Sequence, residues 1–124
     1  MANPTPATVR TVFTRDEGAC SWCGLPISGT RGIDWSVHHR APRAAGGTKR
    51  AWVNQPGNLI LLCGSGTTGC HGHIESHRDE ARGKGFLVSA NGILTASEVP
   101  IVHAVHGTVI LLDDGLVADP RKDT

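Results

Sequence analysis

Four cysteines, arranged as two pairs, are the first residues of this sequence whose types and spacing point to a chemistry. Cys20 and Cys23 are separated by two residues, and Cys63 and Cys70 by six. Two cysteine pairs this far apart in sequence can close one tetrahedral zinc site, and four thiolates with no open position make a structural site. A redox Cys-x-x-Cys motif and unliganded thiols are the alternatives.

A second set of residues could do acid–base and metal chemistry. His38 and His39 are adjacent, Asn58 follows nineteen residues after His39, and His71 directly follows Cys70. Neighbouring side chains of a strand point to opposite faces, so that one imidazole can bind a metal while the other serves a separate role. A helix packed over the strand would bring His71 to the same metal, and zinc at the adjacent cysteine would hold that helix in place.

The helix ligand has alternatives. His73 and His77 are four residues apart and lie on one helical face, a spacing that can also bind a metal. We favour His71 because it directly follows a zinc cysteine, and we keep His73 and His77 as the less favoured ligands.

The order of these residues resembles the HNH endonuclease family over residues 18–82, about half the chain. The resemblance is closest to small HNH proteins of tailed phages that infect actinobacteria. It implies a ββα-metal fold, one catalytic divalent cation, and hydrolysis of DNA phosphodiesters to 5′-phosphate and 3′-hydroxyl ends. The motifs that carry it are Cys20-x-x-Cys23-Gly24, Val37-His38-His39-Arg40-x-Pro42, Gly46-Gly47, Asn58-Leu59 to Leu62-Cys63, Cys70-His71, and the run Glu75-Ser76-His77-Arg78.

The resemblance also implies a role for each matching residue. His38 takes the place of the first metal ligand and His71 that of the second. His39 takes the place of the general base, and Asn58 that of the residue that constrains the loop orienting the base. Imidazole can accept a proton from water near neutral pH, and a cation at the two ligands can act as a Lewis acid on the phosphate. With imidazole ligands the site should accept Mn²⁺ or Ni²⁺ as well as Mg²⁺, since nitrogen suits transition metals and Mg²⁺ prefers oxygen.

Basic residues are concentrated before residue 59. Residues 1–58 carry a net charge of +4 and residues 59–124 a net charge of −3. The first half could contact a polyanion, and a solvated loop is the alternative explanation. The candidate DNA-phosphate contacts are Arg40, Arg43, Lys49 and Arg50.

The predicted helices and strands indicate an α+β fold with a C-terminal β-hairpin, and the resemblance implies a small ββα-metal core beside the Cys₄ zinc site. We expect one domain over residues 1–124, with an N-terminal helix within 1–17 that Thr5 caps, the core at 18–82 and strands within 86–118. Within the core we expect a strand over 33–40, a buried apolar segment over 58–63 and a helix over 70–82. The later strands are predicted at 86–88, 101–102 and 109–112, with a turn at His106-Gly107 between the last two.

The composition suggests that the fold needs a cross-link, such as a disulfide or a bound metal ion, for its stability. The chain of 124 residues has 16 Gly but only two Phe, three Trp and no Tyr, so that little aromatic area is available for a core. No apolar run in the sequence resembles a signal peptide or a membrane span. We therefore expect a cytoplasmic protein, in the host cytoplasm if phage-encoded, with reduced cysteines and no membrane partner.

Three functions remain open from the sequence. The first is a metal-dependent DNA endonuclease that acts as a monomer. The second is a non-catalytic zinc module that binds DNA or protein. The third is an accessory of phage DNA packaging, since the resemblance implies the terminase large subunit as a partner. Cleavage of DNA that depends on a divalent cation separates the first from the second, and purified terminase separates the third.

Overall fold

The computed structural model describes residues 4–42, 51–89 and 93–120. Over these residues the chain is a small mixed α+β domain with three α-helices and two antiparallel sheets. The helices are α1 (Pro6–Arg15), α2 (Gly69–Ser76) and α3 (Arg78–Gly83), and the strands are β1 (Trp35–His39), β2 (Leu59–Cys63), β3 (Ile101–His103), β4 (Gly107–Leu111) and β5 (Val117–Ala118). Short 3₁₀ helices cover Ala51–Asn54, Pro56–Asn58 and Ala96–Glu98.

Helix α1 begins as its sequence predicts. The side chain of Thr5 accepts a hydrogen bond from the backbone N–H of Thr8, and Pro6 occupies the first turn, where its missing N–H costs nothing. The helix ends at Arg15 because Glu17 and Gly18 both have positive φ, 58° and 63°. This reversal turns the chain back towards the first cysteine pair.

Strands β1 and β2 form a two-stranded antiparallel sheet. Trp35 pairs with Cys63 and His39 with Leu59. Strand β2 is buried on both faces, as a continuous apolar run predicts. Leu59 and Leu61 pack with Val12 of α1. Ile60 and Leu62 join the main core, which also contains Ile74, Phe86, Ile101 and Leu111.

On the edge of β2 that does not pair with β1, backbone N–H and C=O groups hydrogen-bond to the N-terminal segment. The guanidinium of Arg15 donates to the carbonyl of Leu59, the N–H of Leu61 donates to the carboxylate of Asp16, and the N–H of Ser21 donates to the carbonyl of Leu61. Buried backbone groups need such partners. The sheet therefore needs no third strand on this side.

The same carboxylate attaches the C-terminal sheet. Nε2 of His103, in β3, donates to Oδ1 of Asp16 across 2.8 Å, and both side chains are fully buried. Burial would raise the pKa of Asp16, but hydrogen bonds from His103 and Arg15 and the charge of Arg15 outweigh it and lower that pKa to about 2. β3 and β4 form the expected hairpin, and β5 adds a third strand that the sequence pattern did not predict.

Two expected elements differ from the structure. The helix predicted over residues 70–82 is broken at His77, whose φ of −128° and ψ of 59° leave the helical region. Residues Phe86–Val88 are not a strand. Their backbone forms isolated hydrogen bonds instead of a strand ladder: the N–H of Phe86 donates to the carbonyl of Ala81, and the N–H of Val88 donates to the carbonyl of Arg40. This segment packs in the core and hydrogen-bonds to residues at the end of β1.

None of the helices in the described parts of the chain has the length and apolar character that crossing a membrane requires.

Candidate metal centres

The four cysteines meet at one point, as their spacing predicts. Their sulfur atoms lie within 4.8 Å of one another, and the group could hold a metal ion such as zinc. The first pair lies in the turn after α1, and Cys63 ends β2 while Cys70 is in the first turn of α2. The six-residue gap in the second pair is closed by a tight loop: a Cβ on Gly64 would lie 2.1 Å from the carbonyl oxygen of Thr68. The residue at this position must be glycine.

The electrostatics of the cysteine cluster favour a bound cation. Burial raises the pKa of the Cys20 thiol, and burial also raises that of Cys70. Burial opposes ionisation of Cys63 too, but hydrogen bonds from Cys70 and the other thiols outweigh it and lower the pKa of Cys63. The backbone N–H of Cys70 lies 3.4 Å from the sulfur of Cys63. Four thiolates so close together require a positive charge between them, which a divalent metal supplies.

A second cluster lies in a cleft of about 310 Å³ at the end of the two-stranded sheet. It consists of His38 from β1 and of His71 and Glu75 from α2. Nδ1 of His38 is 3.3 Å from Nε2 of His71, and Oε2 of Glu75 is 3.6 Å from Nε2 of His71 and 4.0 Å from Nδ1 of His38. In the plane of these three atoms, the point equidistant from them lies about 2.1 Å from each. This distance is within the range of bond lengths from divalent metals to nitrogen and oxygen.

The partners of His38 direct its lone pair into this cluster. Nε2 of His38 lies 2.9 Å from the carbonyl oxygen of Phe86. A carbonyl only accepts, so Nε2 carries the ring proton and Nδ1 carries the lone pair that faces His71. The donor set of two imidazole nitrogens and one carboxylate oxygen fits a divalent metal.

Burial disfavours the charged form of both imidazoles, and metal ligation requires the neutral form. Burial lowers the pKa of His38 to about 3 and outweighs the hydrogen bond to the Phe86 carbonyl, which would raise it. Burial also lowers the pKa of His71, although the carboxylate of Glu75 opposes this. The exposed side of the cluster is formed by Glu75, whose side chain retains 37% of its accessible surface.

His39 lines the same cleft but makes a different contact. Its Nε2 is 2.8 Å from Oδ1 of Asn54, at the end of the 3₁₀ helix Ala51–Asn54. Because an amide oxygen only accepts, Nε2 of His39 carries the proton and Nδ1 is the basic nitrogen of the ring. The second histidine of the pair is thus oriented by a side chain, whereas the first is oriented by a carbonyl.

Asn58 is fully buried and connects the two segments that flank His39. Its Oδ1 accepts from the N–H of Ala41, and its Nδ2 donates to the carbonyls of Ala41 and Val53. Ala41 follows β1, and Val53 precedes Asn54. Asn58 therefore fixes the distance between His39 and the residue that orients its ring.

Arg40 does not lie where a DNA contact requires. We expected it to meet phosphates, but its side chain is completely buried and burial lowers its pKa to about 9. Each nitrogen of its guanidinium donates to backbone carbonyls, those of Gly57, Gly85, Ala96 and Val99. Arg40 is a structural residue that joins β1 to the C-terminal half. The other three candidates for phosphate contact, Arg43, Lys49 and Arg50, lie outside the described residues.

The remaining histidines lie in other surroundings. His73 and His77 stack on each other with ring centroids 4.2 Å apart, and His73 contacts Glu80 rather than His38. His103 and His106 form a third cluster with Asp16, in which His103 joins β3 to Asp16, the residue after α1, and His106 bonds to the carbonyl of Arg15. Of the three candidate helix ligands, the structure brings His71 to His38.

Two functional candidates were missed from the sequence. Glu75 is four residues after His71, so the helical repeat puts both on one face, and this spacing was a usable signal. Asn54 lies in a 3₁₀ helix far from His39 in sequence, and no local pattern marks it.

The chain matches no protein-family model, no curated protein and no solved structure.

Proposed function

We propose that this protein is a metal-dependent DNA endonuclease whose ββα-metal core consists of β1, β2 and α2. The observation that carries the proposal is the group of three ligand atoms from His38, His71 and Glu75, with His39 in the same cleft. A binding module has no need of an oriented base beside an open metal site. The resemblance of the residue order to HNH endonucleases supports the same reaction.

The metal ligands would be Nδ1 of His38, Nε2 of His71 and Oε2 of Glu75. A divalent cation bound there would polarise the scissile phosphate and stabilise the leaving 3′ oxygen as a Lewis acid. Burial disfavours the charged form of both imidazoles, which lowers the cost of forming the site. The two nitrogen ligands favour transition metals such as Mn²⁺ or Ni²⁺, and the carboxylate oxygen would also suit Mg²⁺.

His39 would act as the general base. Its Nδ1 takes a proton from a water molecule while the water oxygen forms a bond to phosphorus and the bond from phosphorus to the 3′ oxygen breaks. The 3′ oxygen takes a proton from solvent, and the products carry 5′-phosphate and 3′-hydroxyl ends. Asn54 holds the proton on Nε2 and so keeps the base in the required tautomer.

The four cysteines would hold a structural zinc ion. Zinc there would join the end of β2 to the first turn of α2, and thereby fix His71, which follows Cys70, relative to His38. In this proposal zinc takes no part in the chemistry, because four thiolates leave no open coordination position.

The resemblance to phage HNH proteins extends the proposal to a biological setting. We infer DNA as the substrate and DNA packaging with the terminase large subunit as the process.

The test is cleavage of supercoiled plasmid by zinc-loaded protein in Mg²⁺, Mn²⁺, Ni²⁺ or EDTA. We expect nicking with at least one metal, none in EDTA, and 5′-phosphate ends that ligase can rejoin. Absence of cleavage with every metal, by protein that retains zinc and binds DNA, would favour the non-catalytic module. Cleavage that appears only with terminase would favour the packaging accessory.

A further inference from the structure

The hydroxyl group of Ser36 lies between the two candidate metal centres. Ser36 is in β1, two residues before His38, and its side chain is part-buried. Its Oγ is 2.7 Å from Nδ1 of His71 and 3.1 Å from the carbonyl oxygen of Gly64, the residue after Cys63. One hydroxyl thus touches a candidate metal ligand and the loop that connects the second cysteine pair.

The proton count of these three groups determines what the hydroxyl can do. A serine hydroxyl has one proton, and the carbonyl of Gly64 can only accept it. When that proton is directed to Gly64, Oγ can only accept from the ring of His71. The proton of His71 then lies on Nδ1, and Nε2 has the lone pair that a metal needs.

We propose that Ser36 is a positioning residue for divalent-cation binding: it accepts the Nδ1 proton of His71 and donates its own to Gly64, which presents Nε2 of His71 as a metal ligand. The inference rests on the proposed metal site, although not on the cleavage of DNA. It also gives a physical link between the two centres, since the carbonyl that receives the Ser36 proton belongs to the loop closed by Cys63 and Cys70.

The alternative arrangement of protons is incompatible with metal binding. If Ser36 donates to Nδ1 of His71, the ring proton lies on Nε2 and points at Nδ1 of His38, which is 3.3 Å away. This arrangement places a proton where the cation would sit. The Gly64 carbonyl matters because it gives the hydroxyl somewhere else to donate.

The main test measures Mn²⁺ binding to zinc-loaded protein, with free Mn²⁺ counted by electron paramagnetic resonance. We expect Ser36→Ala to weaken Mn²⁺ binding about tenfold to a hundredfold, the usual effect of removing a hydrogen-bond partner of a metal-ligating histidine. Ser36→Thr retains the hydroxyl and should restore most of the affinity. Ser76→Ala is the matched control, since the Ser76 hydroxyl bonds to Gly72 on the same helix and should leave Mn²⁺ affinity unchanged.

A spectroscopic measurement separates positioning from a general loss of structure. In ¹⁵N-labelled wild-type protein saturated with Mg²⁺, the His71 Nδ1–H should give a downfield resonance that exchanges slowly with water. In Ser36→Ala that proton should exchange rapidly, while the amide spectrum and the zinc content stay unchanged.

Several results would overturn the proposal. These are equal Mn²⁺ affinity of Ser36→Ala and wild type, failure of Ser36→Thr to restore binding, or a wild-type protein that binds no Mn²⁺. A protein that binds Mn²⁺ in a Ser36-dependent way but does not cut DNA would uphold this inference and overturn the proposed nuclease function. The two failures are therefore distinguishable.

Discussion

The two candidate metal centres differ in the atoms they offer and in their access to solvent. The cysteine cluster offers four sulfurs and leaves no coordination position for an outside ligand. The cluster of His38, His71 and Glu75 offers three atoms beside a cleft, which leaves positions for water and a phosphate. One short helix, α2, contributes to both candidate centres, with Cys70 in one and the next residue, His71, in the other.

The largest expected effect comes from breaking the closed centre. Cys20→Ser removes one ligand, and we expect loss of zinc and of the folded state. Structural zinc contributes about 10–16 kcal/mol in small zinc modules, as much as the whole stability of an ordinary domain. Zinc content and circular dichroism check this. A Cys20→Ser variant that stays folded without zinc would remove the structural role assigned to the cluster.

The next effect concerns His39, the proposed base beside the open candidate centre. His39→Ala should reduce nicking by about a hundredfold to ten-thousandfold, because a general base contributes that much to the rate. Zinc content and Mn²⁺ affinity should not change, since His39 is not among the ligand atoms. His77→Ala is the matched control, because His77 is a histidine of the same region that contacts Ser76 and His73 and not the cleft. Equal loss in both variants would contradict the role of His39.

A smaller effect is expected at Glu75, the proposed third ligand of the open candidate centre. Glu75→Gln keeps the shape of the side chain but removes the charge, and should weaken Mn²⁺ binding by at least about tenfold. Isothermal titration calorimetry measures the affinity. Unchanged Mn²⁺ affinity would mean that Glu75 is not a metal ligand and that only His38 and His71 bind the ion.

The smallest expected effect concerns the ion pair between Glu75 and Arg78. Its other oxygen, Oε1, accepts from Arg78 across 2.8 Å, but 48% of the Arg78 side chain is exposed. Arg78→Ala should therefore lower the free energy of unfolding by less than about 1 kcal/mol. Urea unfolding checks this value. A loss of several kcal/mol would mean that the ion pair, rather than α2, holds the carboxylate.

Local sequence signals predicted the elements that depend on neighbouring residues. The cap at Thr5, the apolar run of β2 and the spacing of the cysteines each specify their structure through contacts close in sequence or through ligand chemistry. The α+β class and the C-terminal hairpin also followed from the pattern of apolar residues.

The features that were not predicted depend on partners far apart in the chain. Phe86–Val88 has the composition of a strand, yet its carbonyl at residue 86 binds His38 and its N–H at residue 88 binds Arg40. Arg40 looks like a surface cation in a basic stretch, but four carbonyls from later segments bury it. Single-sequence patterns contain no record of such long-range bonds.

Anomalous X-ray diffraction from a crystal of zinc-loaded protein soaked in Mn²⁺ would show directly which metal binds at each candidate centre. Data at the zinc and manganese absorption edges distinguish the two metals. We predict zinc among Cys20, Cys23, Cys63 and Cys70, and manganese bound by His38, His71 and Glu75. Manganese at His73 and His77, or no manganese in the cleft, would contradict the assignment of a closed structural centre and an open catalytic one.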